Sequence, residues 1–386
     1  AGGRNEPPGI TGSAHFFAHM MFNGTDSLGQ GEFDQEMEAA GGSHNAYTSK
    51  DVTVYMDWVP RSALETIFEL EADRLMNLSI DPDVVESERS TVYSERRQAY
   101  DDDNEGKLFE QMFANAYMAH PYQNPVIGWP SDIENWTQQD LEDFFETYYA
   151  PNNLTMILVG DVTPEEVYLL ADQHFSPIPR QYPPPEITVV EPEQSGERRF
   201  VIETAAPTPL LHVAFHAGAT KDPETLHMDL LLAILADGSA SRLHRILVEE
   251  EQLALGVGGL QSDGFDPGLV YFYLTLPPGA DIAAVEERLF AELQRVATEG
   301  VTEAELEKAR NLQLASFWRS LQTINGKASA LGNFEVFTGD YENLFAVPER
   351  LTATTPDQLQ TVAARVFRRN NMTTGILRGP LEEDPE

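Results

Sequence analysis

Cysteine is absent from the 386 residues, so disulfides, thiolate metal sites and a cysteine nucleophile are excluded and the redox compartment is left open. Lysine is scarce. Only Lys50, Lys107, Lys221, Lys308 and Lys327 occur, and Lys plus Arg total 25 against 63 Asp plus Glu, a formal charge of −38. Phosphate-rich surfaces repel such a chain, which argues against nucleic acid and anionic membranes as partners. A dispersed acidic surface of this kind fits a salt-adapted protein and an ordinary acidic bacterial one equally well. No run of about 18 apolar residues is present, so no membrane-spanning helix is expected. Also missing are G-x-x-x-x-G-K-[ST], G-x-G-x-x-G after a strand, and G-x-S-x-G. Phosphate-loop, Rossmann and serine-hydrolase chemistry therefore have no support. The chain opens on Ala1-Gly2-Gly3-Arg4 with no initiator Met and no basic or apolar leader. A targeting peptide is expected to have been removed or to lie outside it.

What is present suffices for folded cores. A 41% hydrophobic content with 10% aromatics rules out a disordered chain, and the length suits about two domains. The run Ser176–Glu186 holds five prolines in nine positions and cannot be helix or central strand. We therefore expect domains at 1–176 and 198–386, joined by a Pro-rich linker at 177–197. The halves repeat a pattern. Thr53–Pro60 alternates like a half-buried strand and leads into a helical run over Arg61–Asn77. Leu269–Pro277 likewise leads into a helix through Ile282, Val285, Leu289 and Leu293. Short apolar strands are expected again at Leu154–Gly160 and Met372–Leu377. Strands and helices mixed without regular βαβ alternation predict an α+β fold. Two similar domains, each a mostly antiparallel sheet packed with helices, are related by an internal repeat.

The segment Gly12–Phe22 starts with Ser13 as an expected N-cap and continues helically. His15 and His19, four apart, project from one face and could share a metal ion. Such a pair is weak evidence alone and needs a third ligand. The run Val84–Arg97 offers Glu86, Glu88 and Glu95, of which Glu88 and Glu95 stand two helical turns apart on one face. The same run reads equally as a solvated acidic helix carrying Glu–Arg pairs such as Glu88/Arg89 and Glu95/Arg96. His212 and His216 are also four apart, but their segment reads as a strand, where that spacing is about 13 Å, too far for one ion. Asp101–Asp103 and the tail Glu382–Glu386 read as solvated loops.

Three segments in order carry a resemblance: His15–Thr25, Gly41-Gly42-Ser43-His44-Asn45-Ala46-Tyr47-Thr48-Ser49, and Glu88-Arg89 followed by Glu95. The first closely resembles the H-x-x-E-H helix of the inverzincins, and the set resembles the pitrilysin family of zinc metallopeptidases, in particular half-length bacterial members akin to mitochondrial processing peptidase subunits. That family sets its third ligand about 76 positions after the second His, which falls on Glu95 here. The resemblance implies one zinc per chain on His15, His19 and Glu95, with Glu88 steering the site from behind. It also implies that a peptide adds as a strand along Asn45, Ala46 and Tyr47.

Two departures qualify that reading. Where the family has the Glu that acts as general base, this chain has Ala18, and a methyl group accepts no proton. With the ligands intact, this reads as an inactive, engineered version of a zinc endopeptidase. The alternative is a naturally non-catalytic scaffold or peptide-binding subunit of a heterodimeric peptidase. Full-length members also carry an Arg and a Tyr, seven apart, that hold the substrate carbonyl. The matching positions here are Val248 and Leu255. A half-length homologous subunit is therefore expected to supply the pair, in a heterodimer or else a homodimer enclosing a chamber. The family also has a strand before the segment matching Gly3–Pro7, so an N-terminal strand is expected to be missing. Periplasm is the expected compartment, with cytoplasm as the alternative.

Overall fold

In the computed structural model, which describes residues 1–380, backbone contacts divide the chain into two units. The first comprises residues 1–102 and 119–190, and the second comprises residues 103–118 with the chain from Glu191 onward. The acidic run Glu382–Glu386 lies outside the described residues.

The first unit opens with helices α1 (Ser13–Met20) and α2 (Glu32–Ala39), followed by strands β1 (Ser43–Thr48) and β2 (Thr53–Trp58). The strands form an antiparallel hairpin in which Asn45 faces Met56 and Ala46 faces Tyr55. Helices α3 (Leu64–Asn77) and α4 (Pro82–Arg96) come next. Asp81 caps α4 by accepting from the Asp83 and Val84 N–H groups, with Pro82 at the first helical position, where its missing donor costs nothing. Helix α1 is nearly all core. Ala14, Phe16, Phe17 and Met20 are buried against Val85 and Val92 of α4 and against Ile133, Trp136, Leu141 and Phe144. His15 and His19 are the residues of α1 left half-buried.

Helix α5 (Asn104–Ala116) belongs to the second unit although it precedes the Pro-rich run in sequence. Helices α6 (Pro130–Asn135), α7 (Gln138–Tyr148) and α8 (Pro164–Phe175) return to the first. The Pro-rich run forms neither helix nor strand. Its start is fastened to the first unit by buried Ile178 against Ala72 and Leu75. Its far end is fastened to the second unit by Gln194, whose side chain donates to the Met372 carbonyl at 2.8 Å.

The second unit holds β3 (Arg198–Glu203), β4 (Leu210–His216), β5 (Gly256–Gln261), β6 (Leu269–Thr275) and β7 (Met372–Arg378). They form one sheet in the order β3-β7-β4-β6-β5, antiparallel except for β3 with β7. Alternation along β4 sorts its side chains. Leu211, Val213 and Phe215 enter the large core with the helices at Thr225–Leu235, Ile282–Glu299 and Pro356–Val366. Leu210 and His212 meet α5 on the opposite face.

The structure corrects two expectations. Leu154–Gly160 forms no strand and belongs to neither sheet. Ser13 is the first helical residue, not the cap, and its hydroxyl donates to the Ile10 carbonyl at 2.6 Å.

Candidate metal centre

Residues 15, 18 and 19 share one face of α1, and α4 runs past that face. The structure brings His15, His19 and Glu95 together, with one ligand atom from each lying within 4.8 Å of the others. Glu95 Oε2 lies 3.6 Å from His15 Nε2 and 3.5 Å from His19 Nε2. Ligand bonds of about 2.0–2.1 Å in a tetrahedron place neighbouring donor atoms roughly 3.4 Å apart, so this spacing fits zinc. Two imidazoles and a carboxylate are also a donor set that zinc accepts, leaving a fourth position free.

Glu88, two turns before Glu95, accepts from His19 Nδ1 at 2.8 Å, which leaves Nε2 as the free donor atom. Its other oxygen accepts from Asn23 Nδ2 at 3.0 Å. The Glu88/Arg89 pairing that would have made α4 an ordinary solvated helix does not form. Arg89 binds Glu86 at 3.2 Å and the carbonyls of Ile133 and Trp136, so Glu88 is left to the histidine. His15 differs from His19: its Nδ1 is buried with no hydrogen-bond partner.

The electrostatics follow this asymmetry. Burial holds His15 down at about 4, against the pull of Glu95. Burial also acts to lower His19, but hydrogen bonds and charge from Glu88 and Glu95 outweigh it and raise the ring to about 9. Both carboxyls lie below their ordinary value, chiefly through hydrogen bonding to His19. Ala18 is buried beside the two histidines and offers no proton acceptor.

On β1, Asn45 and Tyr47 are exposed and Ala46 is half-buried. Among the described residues β1 pairs only with β2, so no other strand is paired to its second edge. In the second unit, Val248 lies in a π-helical turn (His244–Glu250) and packs on the core, while Leu255 stands 58% exposed before β5. His212 bonds Glu105 at 3.1 Å and His216 the Ala116 carbonyl at 2.8 Å, so each has its own partner, as the strand reading requires. A second acidic group, Glu65, Glu69 and His174, has comparable spacing, but both carboxylates are exposed. Sequence reasoning missed Asn23 and also Glu6, whose carboxyl group reaches the start of α1. For Asn23 the sequence held a signal in its place directly after the His15–Phe22 run.

A His-x-x-x-His helix faced by a Glu from a second helix is an arrangement that could hold a metal ion. Residues 1–129 match the family model described as Insulinase (Peptidase family M16), and residues 135–313 match that of the Peptidase M16 inactive domain. The chain belongs to the M16 peptidase family. It is 30% identical over 382 residues to the zinc protease PqqE of Helicobacter pylori, covering 98% of this chain and 85% of that protein. It is 27% identical over 380 residues to a probable mitochondrial-processing peptidase subunit beta of Schizosaccharomyces pombe, covering 95% and 82%. The crystal structure of a protease from Helicobacter pylori superposes with a TM-score of 0.93 at 29% identity, covering 98% of this chain and 92% of that one. The periplasmic protease PqqL of Escherichia coli shares the fold alone, at 19% identity and a TM-score of 0.80, and this chain spans 44% of it.

Proposed function

We propose that the chain is the metal-binding subunit of a zinc-dependent endopeptidase, with one zinc held by His15, His19 and Glu95. Bound there, zinc supplies a Lewis acid for a carbonyl and lowers the pKa of a water toward neutrality. Glu88 fixes the tautomer and direction of His19. A peptide or unfolded segment adds along Asn45, Ala46 and Tyr47 as an extra strand, its backbone supplying the affinity. The half-length relatives support a second, homologous subunit as the source of the Arg and Tyr missing at Val248 and Leu255. Periplasm is the compartment we favour.

The observation that carries this reading is the spacing of the donor atoms, with Glu95 Oε2 at 3.5–3.6 Å from both Nε2 atoms. Ala18 leaves the site without its base, so this chain is expected to bind peptide and not cleave it. The test is the zinc content of the purified chain, followed by hydrolysis of unfolded peptides by an Ala18→Glu variant with a half-length partner present. A general base contributes typically about 10²–10⁴-fold, and a chelator should abolish the gain. No zinc in the parent chain would end the reading. Ala18 also favours a second reading, a non-catalytic peptide-binding subunit. A zinc-loaded Ala18→Glu variant that stays inert beside its partner would establish that one instead.

A further inference from the structure

Helix α1 starts without a cap of its own. Gly12 holds the N-cap position at a φ of 90°, and a Cβ there would lie 2.5 Å from the Ile127 carbonyl oxygen. No capping side chain fits at that position. Glu6 takes over the task from outside the helix: Oε2 accepts from the Gly12 N–H and Oε1 from the Ala14 N–H, both at 2.7 Å. The carboxyl group is buried, 2% exposed, and both its oxygens are committed to the first turn.

The residues just before Glu6 are tied to the turn joining β1 to β2. The Gly3 and Arg4 N–H groups donate to the carbonyls of Ser49 and Lys50 at 3.1 and 2.7 Å. The Arg4 guanidinium adds a bond to Asp51 at 3.1 Å. Glu6 thus stands between the helix that carries the histidines and the hairpin that carries Asn45–Tyr47.

The two histidines differ in what orients them. His19 has Glu88 behind it, whereas the buried Nδ1 of His15 has no hydrogen-bond partner. His15 directly follows Ala14, so its ring direction is inherited from the backbone of the first turn. We propose that Glu6 is a positioning residue for the metal centre, clamping the start of α1 so that His15 faces Glu95. The role rests on the zinc reading above. A cap that served stability alone would share the same hydrogen bonds, and metal affinity tells the two apart.

The zinc dissociation constants of the parent chain, Glu6→Gln and Glu6→Asp are compared by competition with a chelating dye. Cobalt(II) absorption and the melting midpoint of the metal-free proteins accompany them. In Glu6→Gln an NH₂ group meets a backbone N–H that needs an acceptor. We expect zinc to bind about tenfold or more weakly and the cobalt bands to shift, with Glu6→Asp intermediate. A Glu6→Gln protein with a lower midpoint but the parent's zinc affinity and cobalt spectrum would overturn the proposal. If Glu6→Gln does not fold, Glu6→Asp decides: parent-like affinity overturns it and weakened affinity supports it. A parent chain that takes no zinc would overturn the metal reading and this role with it, a failure recognisable because it appears before any variant is made.

Discussion

Nδ1 of His19 lies 2.8 Å from Oε1 of Glu88, two turns before Glu95 on the same helix. Helix α4 therefore addresses both nitrogens of one imidazole, holding Nδ1 with one carboxylate and approaching Nε2 with the other at 3.5 Å. Replacing Glu88 leaves the three donors in place and removes what orients one of them. Glu88→Ala should weaken zinc binding by about 10–100-fold, and Glu88→Gln, which keeps an acceptor oxygen, by less. Chelator competition on the folded variants measures both. Parent-like affinity in Glu88→Ala would show that packing alone orients His19.

The same relationship sets a pH dependence. Below about 9 the metal-free His19 carries a proton, while His15, held at about 4, does not, and Glu95 is already ionised. A metal must displace that one proton. Zinc affinity should rise about tenfold per pH unit from roughly 5 to 9 and level off above. Near pH 7 about one proton should be released per zinc. Titration calorimetry in two buffers of different ionisation enthalpy counts it, and a count near zero would contradict the raised value of His19. The sign reverses for the metal-free fold. A histidine raised from 6.5 stabilises fully below that value and loses its contribution as pH climbs through 9.

A buried charge supports the hairpin. The Arg74 guanidinium sits 4.7–5.0 Å from the ring centres of Phe22, Phe33 and Tyr55, paired with Glu71. Asp57 on β2 is pushed up to about 7 by burial first and the Glu71 charge second, with Arg74 opposing. Arg74→Met would keep the apolar contacts and strand two carboxylates. Removing one partner of a buried ion pair costs about 3–5 kcal/mol, so denaturant melts at pH 8 should show a loss of that order. The loss should shrink toward pH 5, where Asp57 takes up its proton. A deficit that did not vary with pH would point to packing instead.

Much of the candidate site was legible because it is local in sequence. The four-residue spacing of His15 and His19, and the seven-residue spacing of Glu88 and Glu95, decide which side chains share a face once the helices exist. What the spacing could not decide was where Arg89 would turn. Its commitment to carbonyls near α6, far along the chain, is what frees Glu88 for His19. Leu154–Gly160 has the apolar pattern of a strand, but a strand exists only beside a partner, and pairing is not written in its own residues. The capping of α1 was hidden for a similar reason. Ser13 has the right side chain for a cap, yet the carboxyl group that does the work lies back across an irregular loop at Glu6. The placement of α5 in the second unit likewise depends on the sheet it covers.

The last prediction concerns the second subunit and rests on Val248 and Leu255. Neither side chain can donate a hydrogen bond to a substrate carbonyl, and Val248 is turned into the core of its unit. Positioning and polarising that carbonyl beside the metal is worth several kcal/mol. An Ala18→Glu chain on its own should therefore bind peptide along Asn45–Tyr47 and turn it over slowly. Adding a half-length relative that carries the Arg and Tyr should raise kcat far more than it lowers KM, because the missing contacts act mainly on the transition state. Changing the partner's arginine to alanine should undo most of the gain. Steady-state kinetics with and without the partner, run beside analytical ultracentrifugation, provide the test. Full activity of the Ala18→Glu chain as a strict monomer would mean that this chain holds the carbonyl with other residues and needs no second subunit.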